Sequence, residues 1–116
     1  MKHLLIAFAI ATLGLATTPA MAQNTAPAQN DALYQALGAK PGLEALMEVF
    51  VAGLKADPRI GVQFKDTKSS YLQEQLVDQF CVVSGGPCKY QGADMKSAHA
   101  GMEINKAQFN ALVEVL

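Results

Sequence analysis

The sequence predicts a single small all-α domain, and three observations carry the prediction. From Asp31 onward apolar residues recur at three- and four-residue spacing rather than in alternation. Helix-type punctuation separates the stripes, with Asp or Asn at their starts and Gly or Pro at their ends. No internal repeat or low-complexity run interrupts them, and 116 residues allow one domain at most.

Asp31 is expected to cap a short helix through Leu37, with Gly38 as its stop. Pro41 suits a first helical turn, after which Leu43, Leu46, Met47, Phe50 and Leu54 form one stripe until Asp57-Pro58 ends it. The stretch from Pro58 to Lys68 reads as a tight corner that sets Phe64 beside the core. Tyr71/Leu72, Leu76, Phe80 and Val83 build the next stripe, and Gly85-Gly86-Pro87 stops it. Past the loop Cys88 to Asp94, the residues Met95, Ala98, His99 and Met102 recur at i, i+3, i+4, i+7 and are expected to turn the histidine inward. The last helix opens with the capping-box variant Asn105-x-x-Gln108 and carries Phe109, Leu112, Val113 and Leu116 on one side, still in register where the sequence stops.

The usable length is shorter than the chain. Residues 1–22 read as an export signal, with Lys2 at the start, an apolar run from Leu4 to Ala16, and Ala20-Met21-Ala22 as a small-x-small cleavage site. The apolar run is too short to span a bilayer, so export rather than anchoring is expected, with no membrane contact after cleavage. Residues 23–30 form a polar lead-in, leaving 31–116 as the domain. A core of this size is marginal without a staple, metal, cofactor or partner.

Composition excludes several functions. Nine Lys/Arg against ten Asp/Glu give a net charge of −1, with no basic surplus for nucleic acid. Cys81 and Cys88 lack the CxxC spacing of zinc ribbons and thioredoxin-like sites. They flank the Gly-Gly-Pro stop, where a disulfide and a buried free Cys81 are both open readings. No GxSxG, HExxH, Walker loop or GxGxxG occurs. Glu44/Glu48 and Glu74/Asp78 sit at i, i+4 on polar faces and read as solvated charges. His99 is the one histidine left once His3 departs with the signal. A lone inward imidazole among Phe, Leu, Val and Met is what a haem pocket requires, and equally what a hydrogen-bonded core histidine looks like.

The ordered series LYQALG (Leu33–Gly38), ADPRI (Ala56–Ile60), Phe64, SGGPCKYQG (Ser84–Gly92), MKSAHAGMEI (Met95–Ile104) and FNALV (Phe109–Val113) resembles the group 1 truncated haemoglobins from about Asp31 to the last residue. The resemblance implies a truncated-globin-like 2-on-2 helical sandwich and one non-covalent haem b, with His99 as the proximal iron ligand. It places Phe64 against the porphyrin, Phe50 in the helix B core, and Met95, Phe80, Tyr90 and Leu72 along the pocket. Ordinary core packing is the alternative for each of these side chains. Without a CxxCH motif, covalent attachment is not expected. Lys68, Lys89 and Lys96 are candidate propionate partners, with solvated lysine the alternative.

Departures from the family pattern carry their own expectations. The distal tyrosine and glutamine align with Val51 and Leu76, neither of which donates a hydrogen bond; each lost donor costs about 1–3 kcal/mol of hold on a partly negative ligand. Gln75 and Gln79 flank Leu76 and could supply a replacement amide. Gly38-Ala39 stands for the usual Gly-Gly, a change expected to need one permissive backbone position. The family continues through the rest of helix G and a helix H, so the fold is expected to be C-terminally incomplete, with a homodimer one way to complete it.

Together these readings point to a periplasmic or secreted haem protein that reversibly binds a diatomic gas, oxygen first among them. Turnover such as nitric-oxide dioxygenation or peroxide chemistry would need a reductant and distal polar groups, and the sequence offers neither. A helical fragment or interaction domain without stable haem, and a haem-based gas or redox sensor, are the rival readings.

Overall fold

The computed structural model describes residues 30–116. The signal and nearly all of the lead-in lie outside the described residues. Five α-helices follow in order: α1 (Ala32–Ala36), α2 (Ala39–Ala56), α3 (Ser69–Val83), α4 (Met95–Ala98) and α5 (Lys106–Val115), with a 3-10 turn at Gly61–Phe64 between α2 and α3. The all-α prediction holds, and α2 is the member against which α1, the 3-10 turn, α3 and α5 all pack.

The α2 stripe is as read: Leu43, Met47, Phe50 and Leu54 are buried, joined by Val51. Its start differs. Gly38 and Ala39 both take left-handed backbone, at φ 86° and 55°, so the corner needs two permissive positions and Ala39 occupies one of them with a Cβ. The α1 start differs too. Asp31 makes no side-chain cap bond; Asn30 Oδ1 accepts from the Ala32 amide at 3.1 Å instead, and the Asp31 carboxylate takes the Gln35 amide.

Two faces turn away from the expected stripes. On α3 the fully buried residues are Val77 and Cys81, followed by Ser84, while Leu72, Leu76 and Phe80 are half-buried and Tyr71 and Val83 are exposed. On α5 the buried residue is Ala111, with Leu112 and Val115 packed against the core, and Phe109, Val113 and Leu116 lie outside. Small residues decide the second case. A Cβ at Gly53 of α2 would fall 2.8 Å from Val115 Cγ1, so the α2–α5 crossing is close only where Gly53 and Ala111 offer little bulk. Arg59 fixes the same crossing from outside, donating to Asp57 at 2.7 Å and to Glu114 on α5. These bonds hold the Asp57 carboxyl below the ordinary aspartate range and push Arg59 further up, through its bonds to Asp57 first and Glu114 second.

The stop after α3 is a Schellman turn. Gly86 N–H donates to the Cys81 carbonyl at 2.7 Å and Gly85 N–H to Val82 at 3.2 Å, with Gly85 at φ 87°. A Cβ at Gly86 would fall 2.6 Å from Cys81 Sγ and 2.7 Å from the Tyr34 ring, which explains the second glycine. Cys81 and Cys88 are bridged, with Cα atoms 5.8 Å apart. Cys81 is thus at once a wholly buried core residue and half of a disulfide.

Candidate functional site

The bridge and the Schellman turn deliver the chain to α4 from a fixed point. Within the loop, the Tyr90 hydroxyl donates to the Ala93 carbonyl at 2.7 Å, and Gly92 lets the Gln75 amide oxygen of α3 lie against its backbone. Asp94 then caps α4, accepting from the Ser97 amide at 3.0 Å and from Ser97 Oγ at 2.6 Å. Those bonds, the side-chain one first, hold the Asp94 carboxyl below its usual range.

His99 sits at the C-cap of this single turn, at φ −109°, and its side chain is exposed. The expectation of a histidine turned into a packed interior is therefore not met. The face drawn from Met95 to Met102 has no helix to carry it: α4 ends at Ala98, Gly101 turns left-handed at φ 76°, and no α4 residue is buried. What the turn does supply is orientation. His99 Nδ1 lies 2.7 Å from the Met95 carbonyl. A carbonyl only accepts, so Nδ1 carries a proton and donates, and in the neutral ring the lone pair is then on Nε2. Nε2 makes no hydrogen bond among the described residues.

The remaining site residues divide by element. Phe50 and Val51 are buried on α2 at 4% and 0% exposure. Phe64 closes the 3-10 turn, half-buried against the core, and Leu76 of α3 packs against the same core. Leu72 is half-buried on the same helix. Phe80 packs against that core as well and lines an apolar groove with Leu33, Leu37, Leu46, Val83 and Leu116. Tyr90 is half-buried with its hydroxyl committed to the loop, and Met95 is 41% exposed. Gln75 and Gln79, spaced i, i+4, both face the loop-and-α4 side of α3: Gln75 meets Gly92, and Gln79 Nε2 donates to Met95 Sδ at 3.3 Å. The sequence marked these amides only as flanking Leu76 and carried no sign of the partners they meet here.

The donor set is thus one exposed imidazole nitrogen, oriented from behind by a carbonyl, in a domain whose side chains at Val51 and Leu76 are apolar. The single oriented nitrogen fits haem iron, which needs one protein ligand, while the apolar groove described above is not lined by His99. Among the described residues no group of three or more His, Cys, Asp or Glu could hold a bare metal ion.

Comparison with known proteins agrees. The family model for bacterial-like globin matches residues 32–116. The group 1 truncated hemoglobin of Tetrahymena pyriformis is 32% identical over 84 residues, covering 72% of this chain and 69% of that protein. The chain belongs to the group 1 truncated haemoglobins. A second relative of this truncated haemoglobin, from Tetrahymena thermophila, is 31% identical over the same shares. The crystal structure of the Tetrahymena pyriformis protein in its Fe(III) form matches with a TM-score of 0.68 at 31% identity, over 72% of this chain and 71% of that one. The architecture is accordingly the truncated-haemoglobin 2-on-2 fold, and membership implies a haem-binding globin.

Proposed function

We propose that this truncated haemoglobin holds one non-covalent haem b through His99 and binds a diatomic gas reversibly, oxygen first, in the periplasm or outside the cell. The observation that carries the reading is the His99 ring itself: Nδ1–H bonded to the Met95 carbonyl and Nε2 without a hydrogen-bond partner among the described residues. Haem, where bound, would be held by His99 and would supply an iron able to take a small gas.

The chain's own residues set the rest. Asp94 fixes the turn, Met95 fixes the ring, and half-buried Phe64, Leu72 and Leu76 offer apolar surface, while Phe50 and Val51 lie buried in the core. Val51 and Leu76 present no N–H or O–H, and the Gln79 amide is already engaged by Met95. A gas held beside Val51 and Leu76 receives no hydrogen bond from either side chain to anchor its partial charge. The apolar leader and the Cys81–Cys88 bridge support an exported, oxidising location.

The test is to express the full chain, read leader removal from the mass of the product, and titrate it with haem beside His99→Ala. A stoichiometric Soret band that weakens or shifts in the variant supports the reading. Absence of saturable binding would favour the rival interaction-domain reading, for which exposed Phe109, Val113 and Leu116 on α5 are the supporting surface.

A further inference from the structure

We propose that Gln79 is a positioning residue for His99, acting through the thioether of Met95. This rests on the reading of His99 as the axial ligand, and it concerns what holds that ring before any cofactor arrives.

Met95 has hydrogen bonds at both ends. Its carbonyl accepts from His99 Nδ1 at 2.7 Å, and its Sδ accepts from Gln79 Nε2 at 3.3 Å. The other bonds within α4 are local, running from Ser97 to the Asp94 carboxylate and along the single turn, where the His99 backbone N–H also donates to the Met95 carbonyl at 3.2 Å, and none of them reaches another element. No α4 residue is buried, so side-chain packing does not fix the turn either. The Gln79–Met95 bond reaches from α3, an element fixed in the core through Val77 and Cys81. It ties the turn to α3 at the residue whose carbonyl holds the imidazole, and through that tie it bears on the plane of the ring and the direction of Nε2. The covalent tie at Cys88 lies seven residues earlier in the chain, too far to fix rotation at Met95.

A thioether is a weak acceptor, so the bond is worth a small factor: about two- to fivefold in the ratio of Nδ1–H to Nε2–H tautomer. The experiment labels histidine with ¹⁵N in the full chain and reads the His99 tautomer ratio without haem, at a pH where the ring is neutral. Wild type is compared with Gln79→Leu, Met95→Leu and the double variant, and with Gln79→Glu, which keeps length and loses the donor. Each single change is expected to lower the Nδ1–H share by that factor, the double change no further, because both remove one bond. After loading, haem loss to an acceptor protein should quicken in the same order. A tautomer ratio unmoved by Gln79→Leu and Gln79→Glu, or effects that add in the double variant, would overturn the proposal. A ratio that shifts as expected in a chain that binds no haem would leave Gln79 as the positioning residue and sink the haem reading instead.

Discussion

Replacing Cys88 by serine isolates what the disulfide does for this domain. Cys88 is half-buried, so a serine there leaves little unsatisfied, and Cys81 keeps its place beneath Tyr34 and Gly86 as a buried thiol. Only the cross-link is lost. The bridge joins residues seven apart, and loop-closure entropy for a ring of that size amounts to about 2.5 kcal/mol at 25 °C. For a domain of this length that corresponds to a fall in Tm of about 10–20 °C. The assay is paired urea and thermal melts of wild type and Cys88→Ser, each with and without reductant, with alkylation and mass confirming the thiol state. Wild type should drop to the level of the variant when reduced, and the variant should ignore reductant. If Cys88→Ser melted within about 2 °C of oxidised wild type, the bridge would be contributing no chain constraint and the entropy argument would fail.

Other perturbations follow from particular residues. Ala39→Gly removes a Cβ from left-handed backbone at φ 55° and should stabilise the chain by about 1 kcal/mol in urea, whereas Gly38→Ala should cost at least as much. Leu76→Gln restores an amide at a half-buried position of similar volume and should slow oxygen release from the loaded protein about five- to a hundredfold in stopped flow. The Asp94 carboxyl is held below its ordinary value of 3.8 by Ser97, so its cap bond supplies stability that is present above that pH and lost as pH falls through the lowered folded value. Asp94→Asn should remove this acid-side dependence from the amide exchange of α4, and an unchanged profile would place the dependence elsewhere.

Much of the fold was readable in the residues, and the exceptions have physical causes. The α2 stripe, the Gly-Gly-Pro stop and the Asn105/Gln108 capping box are local signals, and each holds; the box forms with both bonds, at 2.9 and 3.0 Å. Periodicity names the candidate faces of a helix but does not choose between them. On α3 Val77 and Cys81 take the deepest positions, while Leu76 and Phe80 of the bulkier row pack half-buried against the same core. On α5 the choice was made by Gly53, a residue on another helix. His99 was legible as the lone imidazole, and its i, i+4 carbonyl partner follows from helical spacing. Its exposure was not legible, since a repeat of four apolar positions implied a helix twice as long as the single turn that forms.

The unequal burial of the elements has a thermodynamic consequence. With α1, α3 and α5 all anchored on α2, those segments should exchange their amides only when the whole domain opens, whereas the turn bearing His99 can open by itself at small expense. Whatever grips that imidazole must also still the segment around it. Association there should show a favourable enthalpy set against an ordering entropy, and protection of α4 amides that rises on loading far more than that of α2.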